Sequence, residues 1–137
     1  MPENLELNET NSTRLPATDL HNQVSAIFQG VGAPVEHAEI AARILVSASV
    51  RGVDTHGVGN VIGYSRLIEA GKYTVPQTIE IISETETTTL LSCGNGIGFV
   101  AAHRGMEISI EKAGKSGIGM TTIRDGHHIG MVGYYPM

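Results

Sequence analysis

Apolar residues recur at helical spacing through the first half of the chain, and the pattern switches to short β-branched runs in the second. From Thr18, a candidate N-cap, Leu20, Val24, Ile27 and Phe28 fall on one helical face, and Gly30-Val31-Gly32 stops the run. Pro34 stands where a second helix should begin. Ala38, Ala41, Ala42, Leu45, Val46 and Ser49 give that helix a small-residue face suited to close packing, and Arg51-Gly52 ends it. Val61, Ile62, Tyr64, Leu67 and Ile68 predict a third helix closed by Gly71, with "DTHG" (54–57) at or near its N-terminus. Two β-branched runs follow, "TIEIIS" (78–83) and "TTTLLSC" (87–93), separated at hairpin length by Glu84-Thr85-Glu86. "GNGIG" then leads into a fourth helix carrying Val100, Ala101, Met106, Ile108, Ile110 and Ala113, and a third strand is expected over 118–123.

This order is mixed α/β: N-terminal helices, a β-hairpin, then a β-loop-α-β unit. A hairpin plus one crossover makes a small mixed sheet with an unpaired edge and helices over only part of it, an incomplete architecture for a finished domain. Residues 1–16 are polar, lack periodicity and end at Pro16, so they are expected to form a flexible arm before a single unit spanning 17–137.

Composition narrows the function classes. In 137 residues one core is the ceiling, and a hydrophobic content of 41% with only four tyrosines and two phenylalanines means a core built from aliphatic side chains. A formal charge of −5, with nine Lys and Arg scattered singly, offers no stripe for nucleic acid or anionic lipid. No run approaches the roughly 18 apolar residues of a membrane span. Cys93 is the single cysteine, which excludes an internal disulfide, and the opening residues lack an apolar leader, so a cytoplasmic protein is expected.

Three stretches bear on chemistry. "LLSCGNGIGFV" resembles a dinucleotide fingerprint, but Phe99 occupies the place of the last small residue. Asp125 lies 27 residues beyond Gly98, where a ribose-binding acid would follow the motif by about 20. A tight strand-to-helix turn is the favoured reading. In "DTHG", His56 can exchange a proton near neutral pH and Asp54 could orient it, although the histidine could equally be a buried or capping residue and Asp54 a helix cap. "DGHHIG" (125–130) follows a predicted strand, where ligands commonly meet the backbone, and adjacent histidines point in different directions. His56, His127 and His128 fall short of the ligand set of a zinc hydrolase, so no metal is expected. His21, His37 and His103 read as surface or packing residues on helices, and Tyr134 and Tyr135 as packing residues.

Together, "RGVDTHGVGNVIGYSRLIEAGK" (51–72) and "VAAHRGMEISIEKAGKSGIGMTTIRDGHHIGMVGYY" (100–135) resemble the non-Rossmann malate/L-lactate dehydrogenase family, from about residue 18 to the end. The resemblance implies the N-terminal portion of an NAD(P)-dependent oxidoreductase of small 2-hydroxy or 2-oxo acids, homodimeric in the parent family. Much of the cofactor site would lie in chain beyond these residues. The family's D-S-H-G histidine falls on His56, with Thr55 in the serine place. Its N-H-x-G histidine falls on His128, with His127 in the asparagine place and Gly130 on the cofactor side. His128 is the first candidate for proton transfer and His56 the second. Tyr64 falls on a tyrosine of the substrate side, and Asn60 stands where the family carries an arginine suited to a substrate carboxylate. Arg66 projects from another face of the predicted helix. The competing reading is a non-catalytic remnant or an interaction module pairing through the sheet edge.

Overall fold

The computed structural model describes residues 13–136; most of the expected arm, residues 1–12, lies outside this range. Residues 13–16 have no regular structure, and α1 runs Ala17–Gly30. Its cap is Pro16 rather than Thr18: the ring holds φ at −58°, and the Pro16 carbonyl accepts from the amides of Asp19 and Leu20, so Thr18 sits inside the first turn. Helix α2 (Val35–Val50) begins after Pro34, as its spacing predicts, and turns Ala38, Ala41, Ala42, Leu45 and Val46 into the core. Small side chains there let α1 lie close against α2, with Val24 and Phe28 filling the contact.

After α2 the chain makes two 3₁₀ turns, Asp54–His56 and Val58–Asn60, before α3 (Val61–Glu69). The sheet has three strands, β1 (Glu80–Glu84), β2 (Thr88–Ser92) and β3 (Met120–Arg124), in the order β1-β2-β3. β1 and β2 form the expected antiparallel hairpin, and β2 and β3 run parallel across the crossover helix α4 (Gly98–Ser116). Each strand begins later than its hydrophobic run. Central β2 is only five residues long, and its register pairs Glu80 with Ser92 and Thr88 with Met120, leaving Thr78, Ile79 and Ile118 without ladder partners. An irregularity between Ile81 and Ser83 accommodates one extra residue on β1, as a bulge does.

Helix α4 covers one face of the sheet. Thr89 and Leu91 of β2 are buried beneath it, and Ile123 and Thr121 of β3 meet Gly105. Several apolar positions of the periodic pattern stay exposed, Ile27, Ile62, Leu67 and Ile110 among them, because each helix buries only the stripe that faces its neighbour. The core joins the four helices through Phe28, Ile44, Leu45, Tyr64, Ile97 and Phe99. No helix of the described residues is long and apolar enough to cross a membrane.

One buried polar side chain ties the segment before β1 to the turn before α4. Gln77 accepts from the Ile97 amide through Oε1 at 2.7 Å and donates through Nε2 to the Ile97 carbonyl at 3.2 Å. The carbonyl keeps a second partner in the Val100 amide, so Gln77→Leu orphans the Ile97 amide and removes a donor from Cys93 Sγ. That substitution is expected to destabilise the fold by about 1–3 kcal/mol. Equilibrium urea unfolding measures it, and an unchanged midpoint would show the clamp to be dispensable.

Candidate active site

Three segments converge around His128. The first is the double 3₁₀ turn after α2. Ser49 of α2 accepts the Val58 amide at 3.0 Å, and Asn60 donates to the carbonyls of Thr55 at 2.9 Å and Gly57 at 3.4 Å. This lacing presents His56, whose Nδ1 lies 2.9 Å from the Thr55 hydroxyl. The partner of His56 is thus Thr55 and not Asp54, and the cap position of α3 belongs to Asn60. Asp54 takes neither of the roles open to it in the sequence.

The second segment is the loop after β3. Asp125 turns it with φ 56°, and it then crosses the first residue of α4. A Cβ on Gly98 would stand 2.3 Å from the His127 carbonyl oxygen and 2.5 Å from that of His128, so only glycine permits this crossing. Gly130 has φ +75°, and a Cβ there would meet Ile44 at 2.8 Å and the Phe99 ring at 3.3 Å. Gly130, expected on the cofactor side, is buried against the core, and its amide donates to His128 Nδ1 at 3.2 Å.

The third element is α3, whose Tyr64 is 8% exposed and packs edge-on against Phe99 with ring centroids 5.0 Å apart. Its hydroxyl lies 2.8 Å from His128 Nδ1. Burial, reinforced by Tyr73, pushes the Tyr64 phenol up to about 12, so the group stays protonated. The rings of His56 and His128 stand 5.2 Å apart. His128 is held below the usual imidazole range, first by the burial of its packed face and then by the charge that His56 would carry.

The two adjacent histidines diverge, as expected. His127 stacks on Tyr73 with centroids 3.9 Å apart and a 13° interplanar angle, and its Nε2 lies 3.0 Å from Asn95 Oδ1. The structure therefore brings His56, Tyr64, His128 and Gly130 together and sends His127 elsewhere. Asn60 lies in the same turn, but its amide is spent on loop carbonyls, and Arg66 is exposed on α3. Tyr73 and Asn95 were not anticipated. Asn95 carried a signal, a short polar residue between glycines and here at φ 59°, whereas nothing local to Tyr73 foretells its stacking on His127.

The glycine turn does not fit the diphosphate of a dinucleotide. The Cβ positions of Gly94, Gly96 and Gly98 are taken by the Thr78 carbonyl, the Gln77 side chain and the His127 carbonyl at 2.7, 2.4 and 2.3 Å. Its glycines serve close packing within the protein, as the tight-turn reading requires. Among the described residues no group of three or more His, Cys, Asp or Glu is placed to hold a metal ion.

Two imidazoles held below their usual range give the fold a definite acid response. Burial lowers His37, against a smaller opposing effect of Glu36, and His128 is lowered as above. A histidine whose folded value lies below its unfolded one, about 6.5, contributes stability that is intact above that pH and lost as pH falls through the folded value. The urea midpoint should accordingly fall on acidification below about pH 6.5, and His37→Gln combined with His128→Gln should flatten that fall. An acid limb of unaltered slope in the double variant would contradict this.

Comparison with known proteins agrees with the geometry. The sequence model of the malate/L-lactate dehydrogenase family matches residues 15–137. A malate dehydrogenase of Pyrococcus abyssi is 35% identical over 129 residues, which cover 94% of this chain and 36% of the relative. The malate/(S)-sulfolactate dehydrogenase of Methanothermus fervidus is 37% identical over 109 residues, 80% of this chain and 32% of that one. The solved malate dehydrogenase of Pyrococcus horikoshii superposes with a TM-score of 0.87 at 34% identity, over 90% of this chain and 35% of its own. The chain thus spans about a third of the length of the relatives it matches. Over that span the chain belongs to the malate/L-lactate dehydrogenase family.

Proposed function

We propose that this chain supplies the proton-handling part of an NAD(P)-dependent oxidoreductase acting on a small 2-hydroxy or 2-oxo acid. The observation that carries the proposal is the approach of His56 and His128 to 5.2 Å beside a protonated Tyr64, where the double 3₁₀ turn, the loop after β3 and helix α3 meet. A nicotinamide, when bound, supplies or takes the hydride at the substrate's C2. The matching proton must arrive at, or leave, the C2 oxygen, and imidazole is suited to that exchange near neutral pH. Tyr64 orients His128, and the aromatic edge of Phe99 dries one side of the pair. The filled glycine turn does not offer a seat for the dinucleotide's diphosphate. In this reading the cofactor is gripped by protein corresponding to the remainder of the longer relatives.

One observation favours the second reading, a catalytically inactive remnant. By the sequence resemblance Asn60 stands where the family typically carries an arginine, and its amide is engaged with Thr55 and Gly57, so it offers no cation to a substrate carboxylate. A chimera in which residues 15–137 replace the corresponding third of the Pyrococcus horikoshii malate dehydrogenase separates the two. The proposal expects NAD(P)H-dependent reduction of a 2-oxo acid, with a loss of roughly 10²–10⁴ in kcat/KM for His56→Ala or His128→Ala. A chimera that binds the dinucleotide but turns over no acid until Asn60→Arg is introduced establishes the remnant reading. Turnover indifferent to both histidines overturns the proposal.

A further inference from the structure

The two histidines differ in the chemistry of what holds them. Nδ1 of His128 faces two groups, the Tyr64 hydroxyl at 2.8 Å and the Gly130 amide at 3.2 Å. A hydroxyl can donate or accept, but a backbone amide only donates, so the atom it points at must present a lone pair. Were Nδ1 protonated, in the other neutral tautomer or in the imidazolium, it would face a second donor in the Gly130 N–H and that hydrogen bond would be lost. That amide has little freedom to turn away, since Gly130 is wedged at φ +75° between Ile44 and Phe99. His56 meets no such restriction: its Nδ1 partner is the Thr55 hydroxyl, which can accept from a protonated nitrogen or donate to an unprotonated one.

We propose that the Gly130 amide and the Tyr64 hydroxyl lock His128 as the neutral Nε2–H tautomer, a fixed hydrogen-bond donor, while Thr55 leaves His56 free to gain and lose a proton. Gly130, Tyr64 and Thr55 are then positioning residues. His128 Nε2–H would hold the substrate's C2 oxygen, and His56 would carry the proton, being imidazolium before reduction and neutral imidazole after it. This division of labour rests on the proposed function for the identity of the oxygen; the tautomer lock does not. The titratable groups facing His128 are His56 from the 3₁₀ turn and Tyr64 from α3, with Tyr73 behind Tyr64. Helix α4 contributes the uncharged ring of Phe99, and α2 contributes Ile44 against Gly130. The two imidazoles are close enough for one charge to oppose a second, which reinforces the asymmetry.

The test is the long-range ¹⁵N–¹H spectrum of the histidine-labelled 137-residue chain, recorded without substrate or cofactor through about pH 6.5, where free imidazole titrates. The lock predicts an unprotonated Nδ1 and a protonated Nε2 for His128 that persist while His56 takes up its proton. An Nδ1–H tautomer, averaged tautomers, or protonation of His128 before His56 overturns it. Tyr64→Phe should leave the tautomer fixed, because the Gly130 amide remains; averaging in that variant would refute the role of Gly130. Thr55→Val should move the His56 Nδ1 resonance by removing its hydroxyl partner and Thr55→Ser restore it, and an unmoved resonance would refute the role of Thr55. Neither turnover nor cofactor enters these spectra, so an inactive chimera leaves the lock standing, and a wrong tautomer overturns the lock alone.

Discussion

The site depends on one close approach, the passage of the His127 and His128 carbonyls across the first residue of α4. A side chain at Gly98 would stand within 2.5 Å of both oxygens. The absence of a side chain at Gly98 lets the loop after β3 lie directly on the start of the helix, and the direction it takes there carries the two histidines to their partners. His128 is delivered toward Tyr64 and His56, while His127 is turned onto Tyr73. Gly130 completes the constraint from the other end, fitting between Ile44 and Phe99 with its amide toward His128.

The elements behind this crossing are rigid for ordinary reasons. Phe99 belongs both to the helix that the loop crosses and to the core that links α4 with α2, and it also packs edge-on against Tyr64. A shift of α3 relative to α4 would therefore be felt at once in the Tyr64–His128 contact. At the far end of the loop, Arg51 at the close of α2 donates to the Gly133 carbonyl at 2.8 Å, and the Tyr135 hydroxyl donates to the Ile129 carbonyl. Tyr134 packs its ring against Tyr135 and its hydroxyl toward His103, consistent with a packing role for both tyrosines. The histidine loop is thus fastened at several points although it has no regular secondary structure over most of its length.

Much of this was legible in the residues. The i, i+4 stripe of Leu20, Val24 and Phe28 and the alanine face of α2 predict those helices because burial has helical period. The β-branched runs predict the strands because they suit a pleated, half-covered surface. Their ends were less legible, since pairing with a five-residue β2 decides where a ladder starts. In the site, the glycine turn was rightly read as packing and not as a phosphate loop. The hydrogen bond between Tyr64 and His128 spans 64 residues of sequence, and no periodicity records such a contact. Those two residues were reached through a family resemblance, and Asn95 and Tyr73, which decide the fate of His127, were not reached at all. The use of Asn60 as a loop clasp was equally hidden, for it depends on carbonyls that only the double 3₁₀ turn brings together.

The central claim, that the glycine crossing places the histidines, is tested most directly by the nuclear Overhauser contact between the His56 and His128 ring protons in Gly98→Ala. In the native chain the rings are 5.2 Å apart and the contact should be seen. The account predicts that the alanine methyl, forced against the His127 and His128 carbonyls, drives the loop outward and abolishes the contact while the helical circular dichroism persists. A Gly98→Ala chain that keeps the contact at native strength would contradict it.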